Sequence, residues 1–398
     1  MNPTSPPAVR FLNESQLGQN SWHSLLISLL RGVAAIQVAA AHLRAEFFPG
    51  LRTLENPTLW YQGLAFLTGF AHQGVIVFFV ISGWLVGGSL LNKLGQPEAL
   101  KLYAIDRITR LWTVLIPTFI LIIAFGIISG EIDPRVADFS ASNEFSVLSF
   151  LGNLLGLQTV ALPRFGGNYP LWSLSNESWY YVMFPLLMLS MTASGTLRRV
   201  LCALLLVGVA VLLPTPMVLY FSIWLMGAVF SRVHIHIGAA AQLLLLALLA
   251  AFSVYFRLHG SNDDLVNDAL AQDLLLSLLI LLLLSSCIRP IQRGATHIAV
   301  LEKTALFFSN FSFTLYVVHV PVLGMLGYLG MVLFGTRHVG ATSMAHLGIY
   351  LAMLSFLLVF GYGFYRLFEA RTYAVRRVMK NLFVGRLPLP ARAAPAKH

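Results

Sequence analysis

Arg31 and His42 stand eleven positions apart in one apolar stretch of the chain. On a helix turning about 100° per residue, that spacing leaves them roughly 20° apart on one face and about 16 Å apart along the axis. A guanidinium facing a shared cavity can anchor a phosphate or another anion, and an imidazole farther along can accept a proton. The plainer alternative puts His42 at a membrane interface and lets Arg31 snorkel to the surface. An ionisable group at mid-bilayer costs about 3 kcal/mol on insertion scales, so every such group is a functional candidate.

Further groups of the same kind recur along the chain. Arg107 and Arg110 lie at i and i+3 and point the same way, which suits a diphosphate and equally suits an ordinary positive flank that fixes orientation. The stretch from Tyr169 to Tyr181 carries Trp172, Ser173, Glu177 and Trp179. Glu177 falls in the first turn of a helix after a Ser/Asn cap, where the helix dipole welcomes a carboxylate. The rings beside it either form an interfacial belt or hold sugar faces and hydroxyls. Tyr316 and His319 share a helix face just before Pro321. Glu369, between Arg366 and Arg371, reads as a local ion pair of small worth, and Gly74 and Gly83 as places where helices approach closely. No zinc-ligand spacing, phosphate-binding glycine loop, dinucleotide fingerprint or serine-nucleophile elbow is present. No metal site is therefore expected, and redox chemistry and nucleotide hydrolysis lose their support.

The elements that must position these residues follow from composition. The 398 residues are 57% hydrophobic and 11% charged, with a mean hydropathy of +0.76. So little charged surface cannot cover a water-soluble body of this size, so the surrounding phase is lipid. Disorder, a disulfide scaffold and a cytosolic enzyme are excluded together, and the two cysteines, Cys202 and Cys287, both lie in apolar runs. Taking about 20 residues as one crossing, ten runs emerge: 24–43, 67–91, 108–129, 175–191, 197–213, 217–231, 237–256, 270–288, 306–334 and 345–368. They are continuous rather than alternating, which favours helices over a barrel. The expected fold class is an all-α integral membrane protein of about ten transmembrane helices.

Ten crossings put both termini on one side, which then holds 20 of the 26 basic residues. The positive-inside rule makes that side cytoplasmic and the net charge of +10 a membrane-surface feature, so nucleic acid is not a partner. Residues 1–21 read as a polar N-terminal segment before an uncleaved anchor. Two sizeable loops, 44–66 and 130–169, lie on the opposite side, the second with a short apolar stretch at 145–158 that suits a re-entrant or interfacial helix. No linker or internal repeat divides residues 22–373, and residues 374–398 form a basic, disordered tail.

In order along the chain, these motifs resemble the acyltransferase 3 family of integral membrane acyltransferases over roughly residues 22–373. Arg31 and His42 match its Arg-x10-His pair; residues 74–84 resemble G-V-D-x-F-F-V-x-S-G-F; residues 107–111 are similar to R-x-x-R-L; residues 171–177 are similar to L-W-S-L-x-x-E; and residues 311–321 match S-Y-S-L-Y-L-x-H-x-P. Ile76 stands where the family usually has Asp, Trp84 where it has Phe, and Ser178 where a second Glu is common. The resemblance implies transfer of an acyl group, commonly acetyl, from cytoplasmic acyl-CoA to a hydroxyl of a carbohydrate or lipid-linked glycan, in a bacterial cytoplasmic membrane. It implies that Arg31, Arg107 and Arg110 hold the CoA phosphates, and that His42 acts as general base or carries the acyl group. Glu177 would orient the acceptor or tune His42 from the outer side, and Trp172, Ser173, Trp179, Tyr316 and His319 would bind substrate. A small secreted metabolite such as a macrolide is the alternative acceptor. A transporter using the same buried charges is the alternative of another class, though the internal repeat common among transporters is missing.

Overall fold

Leucine, valine and phenylalanine side chains offer a backbone no hydrogen bonds, so in an apolar phase the chain must satisfy its own N–H and C=O groups. It does so as helices. A computed structural model describes residues 8–18, 20–260, 267–291 and 296–384, and 75% of the described residues are helical. The helices are α1 (Trp22–Phe47), α2 (Leu59–Leu67), α3 (Ala71–Ser82), α4 (Gly88–Lys93), α5 (Ala99–Ser129), α6 (Val147–Leu154), α7 (Leu171–Thr192), α8 (Thr196–Leu212), α9 (Thr215–Phe230), α10 (Ala239–His259), α11 (Leu270–Ser286), α12 (Thr296–Asn310), α13 (Ser312–Phe334), α14 (Met344–Leu367) and α15 (Thr372–Phe383). All ten apolar runs fall on helices. Among the described residues, seven helical stretches are long and apolar enough to cross a membrane. The fourth, fifth and sixth runs fall on α7, α8 and α9, of 22, 17 and 16 residues. The last two are short, and α7 carries the polar cluster around Glu177.

α1 is the axis of the bundle, packed against α3, α12, α13 and α14. α10 buries none of its residues and presents its leucines outward. At one end the antiparallel pair β1 (Val9–Phe11) and β2 (Val233–Ile235) ties the N-terminal segment to the turn after α9. Gln16 carbonyl there accepts from Trp84 Nε1 at 2.9 Å.

Two of the apolar runs are not continuous α-helices. Gly83–Gly87 forms a π-helical turn between α3 and α4, a feature that often marks functional positions. A Cβ added at Gly83 would lie 1.9 Å from Trp224 carbonyl oxygen, and one added at Gly227 would lie 2.2 Å from Val80 carbonyl oxygen. Here α3 and α9 touch backbone to backbone, which only small residues permit. The Gly83→Val variant therefore has no side chain it can push aside. Overpacking of about 3 kcal/mol is expected, lowering the melting temperature in detergent by about 5 °C or more. A melting temperature within 1 °C of the parent, as an order of magnitude, would refute the close crossing.

The second interruption is at Phe311, whose ψ of 9° ends α12 and restarts the chain as α13, so the run expected at 306–334 is two helices. Residues 374–383, expected in a disordered tail, form most of α15 instead. Asp106 on α5 holds α15 through Lys380 at 2.7 Å and Arg376 at 3.3 Å, while Tyr373, Val378, Leu382 and Phe383 are exposed on it. The rest of the expected tail, 385–398, lies outside the described residues, as do residues 1–7 of the N-terminal segment. α6 occupies the stretch expected to be re-entrant, and its Trp112-facing end accepts that indole through Leu154 carbonyl at 2.9 Å.

Candidate active site

Two cavities formed by the described residues bear on these groups. The first, about 510 Å³, is lined by Arg31, Arg107, Arg110 and Arg376 together with Glu177 and Glu369. Four guanidinium groups against two carboxylates make it electropositive, a setting that concentrates anions. Arg31 donates from Nη2 to Ser312 Oγ at 3.3 Å; the helix break at Phe311 brings that hydroxyl to α1. Arg107 lies 5.6 Å from the Tyr181 ring centroid, and its buried Nε has no hydrogen-bond partner. Arg110 is engaged: it pairs with Glu369 and sits 4.9 Å from the Phe313 ring centroid.

Glu369 is 4% exposed. Its partners are Arg110 and, through Oε2, the backbone N–H of Thr314 at 3.2 Å and the Thr314 hydroxyl. The expectation of a local pair with Arg366 or Arg371 is therefore corrected: the short 3-10 turn Glu369–Arg371 after α14 aims the carboxylate inward, whereas Arg366 donates to Tyr362 hydroxyl at 3.1 Å. Glu177, expected in the first turn after a Ser/Asn cap and on the opposite side from the arginines, instead lies in the second turn of α7, which starts at Leu171 with Pro170 as its cap, and shares the arginines' cavity. There its Oε1 accepts from Ser82 Oγ and Tyr181 hydroxyl, each at 2.5 Å. Trp224 Nε1 in turn donates to Ser82 Oγ at 3.1 Å. The π turn that follows Ser82 thus adjoins the residue that fixes this carboxylate.

The second cavity, about 490 Å³, is lined by Glu46, Glu131, Tyr169, Pro321, Tyr328 and Arg337, with Arg337 paired to Glu46. Between the two cavities stands a row of rings. Tyr316, which lines the first cavity, has its centroid 6.0 Å from that of His319. His319 Nε2 is 2.8 Å from His42 Nδ1, and the His42 ring meets Tyr169, which lines the second cavity, edge-on at 4.8 Å. Arg31 and His42 therefore both face α13, as their spacing on α1 requires, but Arg31 opens into the first cavity and His42 sits in the partition.

Pro321 explains how the loop comes to lie against His42. Without an N–H, it leaves the carbonyl of Val317 unpaired within α13. Asn168 Nδ2 donates to that carbonyl at 2.9 Å, itself fully buried, and so fixes the neighbouring Tyr169. Burial, reinforced by the charge on Glu46, raises the Tyr169 phenol well above its ordinary pKa and keeps it a hydroxyl.

The remaining candidates divide between the cavity wall and the packing around it. Ser173 Oγ and Tyr316 hydroxyl are 2.6 Å apart on the wall of the first cavity. Trp179 Nε1 donates to Gly156 carbonyl at 3.0 Å, and Trp172 packs edge-on against Phe79. Sequence reasoning missed the buried cluster in which Asp273 accepts from His72 Nε2 at 2.9 Å and Tyr220 hydroxyl at 2.7 Å. Asp273 in an apolar run was the signal for it. It also missed Glu46 and Arg337, helix-end and loop residues that become a wall only when α5 and α13 come together beside the end of α1.

The model of one protein family, described as an acyltransferase domain, matches residues 26–366. No curated protein and no solved structure shows a significant match.

Proposed function

The chain belongs to the acyltransferase 3 family and is an integral membrane acyltransferase; from that premise we propose that it moves an acyl group, acetyl in the first instance, from cytoplasmic acyl-CoA to a hydroxyl of a cell-surface or secreted carbohydrate. The observation that carries this reading is the His42–His319 pair standing between an arginine-lined cavity and a second cavity of mixed charge and aromatic walls. With ten crossings and both termini cytoplasmic, as the basic residues favour, the arginine cavity opens to the cytoplasm and the second cavity to the far side. The family resemblance favours a bacterial cytoplasmic membrane as the setting.

CoA enters here as substrate. The arginine cavity suits it: a pyrophosphate offers bidentate acceptors, guanidinium forks match them, and the Arg107 Nε lacks a partner of its own. Arg31 and Arg107 are its main holders, because Arg110 is already engaged by Glu369. His42 then removes the proton of the acceptor hydroxyl as it attacks the thioester, or takes the acyl group first and passes it on. Glu177, held by Ser82 and Tyr181, serves the donor side. Glu46, Glu131, Tyr169 and Tyr328 supply hydrogen bonds and ring faces for a sugar in the second cavity.

Removing one charged hydrogen-bonding group from a phosphate costs about 1.5–3 kcal/mol, so Arg31→Ala is expected to weaken CoA binding by about 10- to 100-fold, read by calorimetry on protein in nanodiscs. Labelled acetyl-CoA offered with glycan acceptors should yield ester and free CoA. Transport of label without CoA release would overturn the reading. Label recovered on the protein before acceptor is added would select the acyl-histidine route, and its absence under single turnover would select direct transfer.

A further inference from the structure

We propose that His319 fixes the tautomer of His42, so that His42 Nε2 is the atom that carries the reactive lone pair; the catalytic consequence, though not the tautomer itself, rests on the acyl-transfer reading above. His319 is fully buried. Its Nδ1 lies 3.0 Å from the carbonyl oxygen of Leu315, one helical turn back. A carbonyl can only accept, so in a neutral imidazole that nitrogen bears the hydrogen. His319 Nε2 is then left with a lone pair, and the atom it faces, His42 Nδ1 at 2.8 Å, must donate to it. The ring geometry agrees: centroids 5.0 Å apart and planes within 21° of each other place the two nitrogens edge to edge rather than face to face. One backbone carbonyl thereby sets two tautomers in succession, and the lone pair emerges at His42 Nε2.

Both chemical routes need that lone pair. In direct transfer, Nε2 takes the proton of the acceptor hydroxyl while the oxygen forms a bond to the acyl carbon and the C–S bond breaks; Nε2 then returns the proton to the departing sulfur. In the stepwise route, Nε2 itself bonds to the acyl carbon as the C–S bond breaks and the thiolate leaves; the acceptor oxygen then displaces Nε2 from that carbon and its proton passes to the thiolate. In each, the His42 ring becomes positively charged, and its Nδ1–H still donates to His319. A His42 in the opposite tautomer would present an N–H to the substrate and could do neither. His319 is therefore a positioning residue and not, as the sequence reading had it, a group that binds substrate.

The test compares His319→Leu, which cannot accept a hydrogen bond, with His319→Gln, whose amide oxygen can. His319→Leu is expected to lower kcat by about 100-fold or more and to leave KM for acyl-CoA within about twofold, since the arginine cavity is untouched. His319→Gln should recover about tenfold of that loss, the mark of a hydrogen bond rather than of volume. Nitrogen-15 spectra of protein labelled at the histidine rings, with His42 assigned by its loss in His42→Ala, should report the Nδ1–H tautomer in the parent and its loss in His319→Leu. An Nε2–H tautomer at His42 in the parent would overturn the proposal even if neither variant folds. Equal kcat in the two variants would overturn it too. A parent that consumes no acyl-CoA yet shows the Nδ1–H tautomer would instead sink the acyl-transfer reading alone.

Discussion

Replacing His42 with alanine should lower kcat for acyl transfer by about 10³-fold, within the range a positioned acid–base group supplies. KM for acyl-CoA should hardly change. The argument turns on separation: the guanidinium groups that suit the donor line one cavity, whereas His42 reaches His319 and Tyr169 in the partition. Calorimetric CoA affinity should stay within about twofold of the parent even as turnover collapses, because uniform binding contacts survive when only a group acting in the transition state is removed. His42→Gln, which keeps a donor toward His319 but has no basic nitrogen, should be equally inactive. Turnover above about a tenth of the parent in either variant would remove His42 from the chemistry. Loss of CoA affinity alongside turnover would point to collapse of the partition instead.

How much of this was legible in the sequence depends on what each feature requires. Continuous apolar runs are enough to specify helices in lipid, and the eleven-residue spacing of Arg31 and His42 is enough to put both on one face of α1, which the structure turns toward α13. Spacing gives a face, not a neighbour. Glu177 lies a turn deeper in its helix than the Ser/Asn cap suggested, because α7 already starts at Leu171, and only the approach of α3 across it shows that Ser82 and the arginines share its cavity. The π turn at Gly83–Gly87 answers to the backbone of α9, more than a hundred residues away in the chain. The same holds for Glu369, separated by 259 positions from the Arg110 it pairs with, while Arg366 and Arg371 nearby drew the eye. The amphipathic start of the tail was readable as a helix in principle; its basic composition suggested disorder, and the two bonds from Asp106 that hold it lie elsewhere in the sequence.

Glu369→Ala should be the most destabilising single change at the site, and its rescue should separate folding from donor binding. The carboxylate is almost fully buried and satisfies three donors: the Arg110 guanidinium, the Thr314 backbone N–H and the Thr314 hydroxyl. Removing one member of a buried pair leaves the other charge uncompensated and costs about 3–5 kcal/mol. Arg110 keeps some access to the cavity, its side chain being 27% exposed, so water relieves part of that penalty and the lower end, about 3 kcal/mol, is expected. The loss should appear as a lower melting temperature and poor recovery from detergent. Replacing both partners with apolar side chains of similar size, Arg110→Met with Glu369→Leu, removes the charge along with its partner, and such exchanges are neutral or stabilising in other buried pairs. Here the Thr314 N–H and hydroxyl stay unsatisfied, so recovery should be partial, to within about 2 kcal/mol of the parent. The double variant should then bind CoA only about three- to tenfold more weakly than the parent, a smaller loss than Arg31→Ala, because Arg110 spends its charge on Glu369 rather than on the ligand. A double variant as unstable as Glu369→Ala would show that the carboxylate is needed for Thr314 and the start of α13 rather than for Arg110.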